Sequence, residues 1–280
     1  MKAPVNKIIP LSVVDGPGSR TSVFLQGCNI ACAYCHNPET QRMCIGCGRC
    51  VPLCPAKALS LGGANGAAVL WDEKKCVQCD SCIRACPEFA SPKIRFMEAA
   101  EVFEEIKKNI PFIRGITVSG GECTLHPEFL TELFGLAKTA GLTCFIDSNG
   151  CVDLSLYPEL MKRCDKVMLD VKAWDGEKFS GLTGGSNTVV KKNLVYLAQN
   201  QKLEEVRIVC LPPEVDVEDT IRGIAETVPE HLPEFTLKLI AFRNHGVKSY
   251  LKDRETPSYE QMEQWERIAK SHGFSHIRIV

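Results

Sequence analysis

The 280-residue sequence predicts an α/β fold: a partial, open (β/α)6 barrel of the TIM-like kind, interrupted by a small cysteine-rich insert. Three observations predict it. Short apolar or β-branched runs alternate six times with segments of helical period. The runs lack strict in–out alternation, so they read as parallel strands covered on both faces. Eleven of the 16 cysteines lie between the first barrel strand and the first helix, where a βα loop projects from the catalytic rim.

In chain order, Met1–Pro10 carries one short apolar run and no secretion signal. The first strand, Thr21–Gln26, leads directly into Cys28. The insert is expected over 41–90, leaving 1–40 and 91–280 as the barrel. From Cys44 to Cys86 the text is too poor in apolar residues to fold without metal. Gly62-Gly63-Ala64-Asn65-Gly66 is a turn-rich joint within it. Strands are then expected at Gly115–Ser119, Leu142–Asp147, Lys166–Asp170, Glu205–Cys210 and Thr236–Ala241. The helices expected around them are Glu98–Lys108, Pro127–Ala140, Ser155–Arg163, Val189–Gln199, Val217–Thr227 and Ser258–His272. His276–Val280 closes the chain as a short strand.

Charge is nearly balanced, with 33 basic and 34 acidic residues and a net charge of -1. No basic patch points to nucleic acid, and no apolar stretch is long enough to span a bilayer. A cytoplasmic protein with neither nucleic-acid nor membrane partner is expected. In that reducing compartment spaced cysteines read as metal ligands.

The spacings are specific. Cys28, Cys32 and Cys35 form C-x3-C-x2-C. Cys44, Cys47, Cys50 and Cys54 form C-x2-C-x2-C-x3-C-P, and Cys76, Cys79, Cys82 and Cys86 repeat it. Three sets point to three [4Fe–4S] clusters. The first set supplies only three thiolates and leaves one iron open for chemistry, while closed clusters carry electrons. Two other readings exist for the first set. Cys32-Ala33-Tyr34-Cys35-His36 matches a c-type haem attachment, which leaves Cys28 without a role. A structural zinc site would take His36 as fourth ligand. Cys123, Cys144, Cys151, Cys164 and Cys210 have no motif spacing and read as small buried hydrophobes. Of these, Cys123 sits next to Glu122 at the rim. A three-cluster electron carrier is a further reading, but a plain carrier has no use for an open iron.

The Cys28–Cys35 motif with Tyr34 before its last cysteine, followed by Ser119-Gly120-Gly121-Glu122 after the second strand, resembles the radical S-adenosylmethionine (SAM) superfamily. That resemblance implies SAM chelating the open iron through its amine and carboxylate. It also implies Tyr34, Ser119, Gly120 and Gly121 near SAM, with the Glu122 carboxylate offered to the ammonium. Val14–Arg20, Cys35-His36-Asn37-Pro38, Asp147–Gly150, Met168–Lys172 and Arg207 further resemble the activases of glycyl radical enzymes. By that likeness Asp170 and Lys172 contact the amino and carboxylate ends of SAM. Asp147, Met168 and Asp170 surround a monovalent cation, Na+ or K+. Arg207 faces SAM or the incoming peptide, and Asp15 lies where that peptide enters. The sixth strand departs from the pattern: Arg243 stands where some activases place a histidine at the SAM site and is expected to bind a carboxylate there bidentately, with His245 two residues on.

The insert resembles bacterial two-cluster ferredoxins, in which the fourth cysteine of each run serves the other cluster. Crossed sets would be Cys44, Cys47, Cys50 with Cys86, and Cys76, Cys79, Cys82 with Cys54; two sequential clusters are the alternative. This ferredoxin-like insert links the chain to the YjjW-type activases. The implied partners are a glycyl radical enzyme as protein substrate and reduced flavodoxin or ferredoxin as electron donor. A radical SAM enzyme that modifies a peptide or tRNA is the second reading.

Overall fold

The computed structural model describes residues 1–63, 68–244 and 247–280. The chain opens with β1 (Lys2–Ser12) and β2 (Arg20–Leu25). The cysteine-rich segment follows, with β3 (Leu59–Gly62), β4 (Ala68–Trp71) and the short α1 (Ser81–Arg84). The chain returns through β5 (Arg95–Glu98) and α2 (Ala99–Lys107). It continues as β6 (Gly115–Gly120), α3 (Pro127–Thr139), β7 (Thr143–Ser148), α4 (Pro158–Arg163) and β8 (Lys166–Asp170). Two helices, α5 (Gly176–Thr183) and α6 (Thr188–Gln199), precede β9 (Leu203–Cys210). The chain ends with α7 (Val217–Thr227), β10 (Thr236–Ala241), α8 (Tyr259–Ser271) and β11 (Ile277–Ile279).

One nine-stranded sheet runs in the order β11-β10-β9-β8-β7-β6-β2-β1-β5. From β2 to β11 every neighbour pair is parallel. Both faces of these strands are covered: all six residues of β2 and the first five of β6 are buried. The helices wrap the outside with apolar stripes, such as Phe129, Leu130, Leu133, Phe134 and Ala137 on α3. Among the described residues β5 and β11 do not pair, so the barrel is open, as expected.

Two antiparallel strands are additions to the predicted barrel. β1 pairs with β2 and β5 pairs with β1. Neither reads as a strand by pattern, since β1 contains Pro4 and Pro10 and β5 is only four residues long. Helix α5 also escaped the pattern, because Gly176 and Gly181 weaken its helical signal.

The bottom of the barrel is filled by a buried cation. Arg20 is 1 % exposed and donates to Thr117 Oγ1 at 2.8 Å, Thr143 Oγ1 at 3.0 Å and the Ile116 carbonyl at 2.7 Å. Its guanidinium lies over the Phe145 ring. The β1–β2 connection rises beside it, with the Asp15 carbonyl accepting from Thr117 Oγ1 at 2.6 Å.

The cysteine-rich segment has its own two-stranded sheet, β3–β4, and a small core of Cys50, Leu59 and Cys82. Ala64, Asn65 and Gly66 of the expected joint lie outside the described residues.

Candidate active site

The C-terminal ends of the parallel strands open into a cavity of about 260 Å³. Its wall brings together Cys28, Cys32 and Cys35 from the β2 loop with Ser119, Gly120 and Gly121 from the end of β6. Asp147 from β7, Asp170 and Lys172 from β8 and Arg207 from β9 complete the wall. Residues 179 positions apart in sequence thus meet because parallel strands all point one way.

The cysteine loop is clamped by backbone bonds. Gly27 N–H donates to the Thr40 carbonyl at 2.8 Å and Cys28 N–H to Gln41 at 2.9 Å. Ala31 and Ala33 donate to Thr183 and Leu182 at the end of α5, each at 2.8 Å. The Gln26 amide, buried at 1 %, donates to the carbonyls of Glu39 and Arg42 and fixes the return of the loop. Gly120 and Gly121 press against this exit. A Cβ on Gly120 would lie 2.1 Å from the Leu25 carbonyl oxygen, and one on Gly121 would lie 2.1 Å from that of Gly27. The two glycines therefore exist for backbone approach between β6 and β2.

The thiols of this loop need a counter-charge to ionise. Burial pushes Cys28 up to about 11 and Cys32 up to about 12, while the Lys172 ammonium pulls both down. Iron would finish what Lys172 begins, since a coordinating thiol is deprotonated outright. The Tyr34 hydroxyl is buried on the same wall and has no partner among the described residues. Three thiols, an unspent phenol and a buried ion pair around one cavity form a donor set that suits a three-ligand cluster with a zwitterionic ligand.

The polar wall is a network. Lys172 Nζ donates to Asp170 Oδ2 at 3.0 Å. Burial alone would raise the Asp170 carboxyl, but Lys172 and Arg207 hold it below the ordinary carboxylate range. Burial would likewise lower Lys172, and Asp170 raises it well above its ordinary value. Arg207 donates to Asp147 Oδ1 at 2.9 Å, to Met168 Sδ at 2.8 Å and to Glu205 Oε2 at 2.9 Å. The second Asp147 oxygen accepts from Ser119 Oγ at 3.0 Å. Asp15 reaches the cavity floor, held by Ser22 Oγ at 2.7 Å. The guanidinium of Arg207 thus already bonds two of the three residues expected around a monovalent cation.

Two expectations are corrected. Glu122 is 1 % exposed and is absent from the cavity wall. Its carboxylate accepts from Thr124 N–H, Thr124 Oγ1, Ser148 Oγ and Asn149 N–H, so it braces the turn after β7 and is not offered to a ligand. Arg243 is exposed two residues beyond β10, whereas Ile240 lines the cavity, so the sixth strand makes an apolar contact there. His245 lies outside the described residues. Asn149 is an addition: its Nδ2 lies 3.5 Å from Cys28 Sγ and 2.9 Å from Asn29 Oδ1. Its place in the Asp147–Gly150 turn was visible in the sequence, but its contact with the cysteine loop was not.

The remaining motif cysteines line two further cavities. Cys44, Cys47, Cys50 and Cys86 surround one, and Cys54, Cys76, Cys79 and Cys82 the other. Cys123, Cys144, Cys164 and Cys210 are buried, and Cys151 is half-buried. A larger groove of about 880 Å³ lies beside the cysteine-rich segment and touches His36, Asn37 and Pro38. Several of its charges are already paired, as in Lys93–Asp80 at 2.6 Å and Arg95–Glu105 at 2.7 Å.

The chain matches the family model described as the Radical SAM superfamily over residues 22–228. It is 31% identical to the indoleacetate decarboxylase activating enzyme of Tractidigestivibacter scatoligenes, covering 99% of this chain and 97% of that protein. It is 30% identical to the choline trimethylamine-lyase activating enzyme of Oleidesulfovibrio alaskensis, covering 89% and 86% respectively. A crystal structure of a domain of pyruvate-formate lyase-activating enzyme from Bacteroides vulgatus superposes with a TM-score of 0.51 at 25% identity. That match covers 59% of this chain and 98% of the other. Among the described residues no helix is long and apolar enough to cross a membrane.

Proposed function

The chain belongs to the radical SAM superfamily and, within it, to the activating enzymes of glycyl radical enzymes. From that premise we propose that it reductively cleaves SAM and removes one hydrogen atom from a glycine Cα of a partner glycyl radical enzyme. The observation that carries this reading is the meeting of Cys28, Cys32 and Cys35 with the Lys172–Asp170 pair on one cavity at the strand ends. When bound, a reduced [4Fe–4S] cluster with an open iron would supply the one electron that is consumed in splitting SAM at its sulfur–C5′ bond into methionine and a 5′-deoxyadenosyl radical.

The residues then divide the remaining work. Cys28, Cys32 and Cys35 hold the cluster. Lys172 presents an ammonium to a carboxylate, and Asp170 a carboxylate to an ammonium. Ser119, Gly120, Gly121 and Tyr34 enclose the ligand and exclude water, which protects a reactive species. Arg207 orients Asp147 and Met168; a monovalent cation at Asp147, Met168 and Asp170 would share Met168 and Asp147 with that guanidinium. Hydrogen-atom transfer requires no base, so no nucleophile–histidine pair is needed. The unpaired sheet edges would let a partner's peptide loop approach. The apolar Ile240 on the wall suits a glycine-bearing backbone better than a charged substrate.

Residues 41–90 are proposed as the ferredoxin-like insert with two further [4Fe–4S] clusters, and its likeness to YjjW-type activases belongs to the same reading. The two cysteine-lined cavities support the crossed ligand sets, since Cys86 joins the first run and Cys54 the second. Reduced flavodoxin or ferredoxin is the proposed donor, in a cytoplasmic setting where the thiols stay reduced.

The test is anaerobic incubation with SAM, dithionite and a purified glycyl radical enzyme from the same genome neighbourhood. A glycyl doublet in electron paramagnetic resonance (EPR), dependent on that partner, is the expected result. Release of 5′-deoxyadenosine with radical formation on a small peptide or tRNA, and on no glycyl radical enzyme, would favour the second reading.

A further inference from the structure

Trp71 ends β4 opposite Leu59 and packs on the small core of Cys50, Leu59 and Cys82. Its indole Nε1 is buried and has no acceptor among the described residues. Such orphans are rare, because the water lost on burial is not replaced. An indole N–H can only donate. Trp71 lines the same cavity as Cys54, Cys76, Cys79 and Cys82, whose four sulfurs are the most numerous side-chain acceptors there beside the Asp80 carboxylate and the Ser81 hydroxyl, and it also borders the larger groove.

Two other side-chain donors line this wall: the Ser81 hydroxyl lies 3.4 Å from Cys79 Sγ, and the Lys93 ammonium keeps one of its three N–H groups. Lys93 Nζ is bound to Asp80 at 2.6 Å and to Gln78 at 2.8 Å. Ala58 N–H already donates to Cys54 Sγ at 3.2 Å. The cavity of Cys44, Cys47, Cys50 and Cys86 differs. It is walled by Met43, Ile45, Val69 and Pro92 together with the exposed Arg49 and Glu88, and no buried side-chain donor without a partner lines it among the described residues.

We propose that the Trp71 indole N–H is a tuning donor to the cluster held by Cys54, Cys76, Cys79 and Cys82, raising its reduction potential. The inference rests on the two-cluster reading of the insert. Reduction adds one electron to the cluster and makes its sulfurs more negative. A hydrogen bond to sulfur favours that reduced state and raises the potential.

Trp71→Phe removes the N–H and keeps an aromatic ring in place. Full-length protein, loaded anaerobically with iron and sulfide, is titrated potentiometrically with dithionite and followed by EPR. The expected wild type carries about 12 irons per chain, as three [4Fe–4S] clusters require. In Trp71→Phe the iron content is unchanged and one auxiliary couple falls by about 59 mV, a tenfold change in a one-electron equilibrium. That couple is the one whose EPR signal is altered by Cys79→Ser, and the couple altered by Cys47→Ser stays in place. Three unmoved couples would overturn the proposal, with the N–H then satisfied by groove water. A shift confined to the Cys47 couple would also overturn it. So would loss of about four irons in Trp71→Phe, which would assign Trp71 a packing role. A wild-type chain holding only about four irons would instead overturn the two-cluster reading, and the tuning role with it.

Discussion

Glu122→Gln separates a structural carboxylate from a ligand-binding one. In the folded chain Glu122 Oε1 accepts from Thr124 N–H at 3.1 Å, Thr124 Oγ1 at 2.6 Å and Ser148 Oγ at 3.0 Å. Its other oxygen accepts from Asn149 N–H at 2.7 Å. Burial raises this carboxyl group, and the donors from Thr124, Asn149 and Ser148 counter it. A glutamine keeps one acceptor oxygen. The least damaging rotamer puts its nitrogen toward Asn149, where one N–H then faces another. Losing one hydrogen bond to a charged group costs about 1.5–3 kcal/mol, and leaving a buried donor unmet adds to it, so about 3 kcal/mol in all is expected. A chain of this size loses roughly 2–4 °C of Tm per kcal/mol, giving a fall of about 6–12 °C. The assay pairs thermal unfolding of the anaerobic protein with equilibrium dialysis of labelled SAM well below Tm. The expected outcome is the lower Tm with SAM affinity within about threefold of wild type, about 0.65 kcal/mol. An unchanged Tm with at least tenfold weaker SAM binding would refute the reasoning and return Glu122 to the ligand.

Gly121→Ala would put a Cβ 2.1 Å from the Gly27 carbonyl and 2.8 Å from that of Thr40, forcing the cysteine loop outward by about an ångström. The rate of 5′-deoxyadenosine release should fall about 10²-fold, and a wild-type rate would contradict the close approach. Asp170→Asn strands the buried Lys172 ammonium and should destabilise the protein by about 3–5 kcal/mol in urea titrations at neutral pH. The sign with pH follows from Asp170 being held low when folded. Its contribution is complete above the unfolded carboxylate value of about 3.9 and is lost only as pH falls through the lower folded value. The wild-type pair should therefore lose nothing from about pH 8 to about 5.5, while in Asp170→Asn burial of Lys172 without the carboxylate that raises it makes the gap widen as pH falls; a gap closing across this window would contradict the account. Arg207→Lys keeps a charge but loses the planar fork that joins Asp147, Met168 and Glu205. SAM affinity should weaken about tenfold, and a cation requirement revealed by K+ titration should change with it; unaltered affinity and K+ response would count against the network.

Much of the fold was legible because buried parallel strands write themselves as short β-branched runs. Lys166–Asp170 and Thr236–Ala241 match β8 and β10 at both ends. The antiparallel β1 and β5 were not legible, since prolines and a four-residue length erase the pattern while pairing with neighbours supplies the stability. At the site, spacing marked the cysteines, and the likeness to activases marked Asp147, Asp170, Lys172 and Arg207, which the structure brings to one cavity. What a motif cannot reveal is the direction in which a side chain spends its hydrogen bonds. Glu122 turns toward Ser148 and Asn149, and the Asn149 amide reaches back to Cys28. The first depends on how closely the β6 and β7 loops approach, and the second on how closely the β7 loop approaches the cysteine loop that leaves β2.

The central claim is that Cys28, Cys32 and Cys35 alone hold the cluster at which SAM is cleaved. Its most direct measurement is the low-temperature EPR spectrum of the reduced protein with and without SAM, taken with 5′-deoxyadenosine release, in wild type, Cys28→Ser and Cys47→Ser. The wild type and Cys47→Ser should both show a SAM-dependent change in one cluster signal, while Cys28→Ser shows neither that change nor 5′-deoxyadenosine. A SAM response that survives Cys28→Ser, or one that vanishes only in Cys47→Ser, would contradict the account.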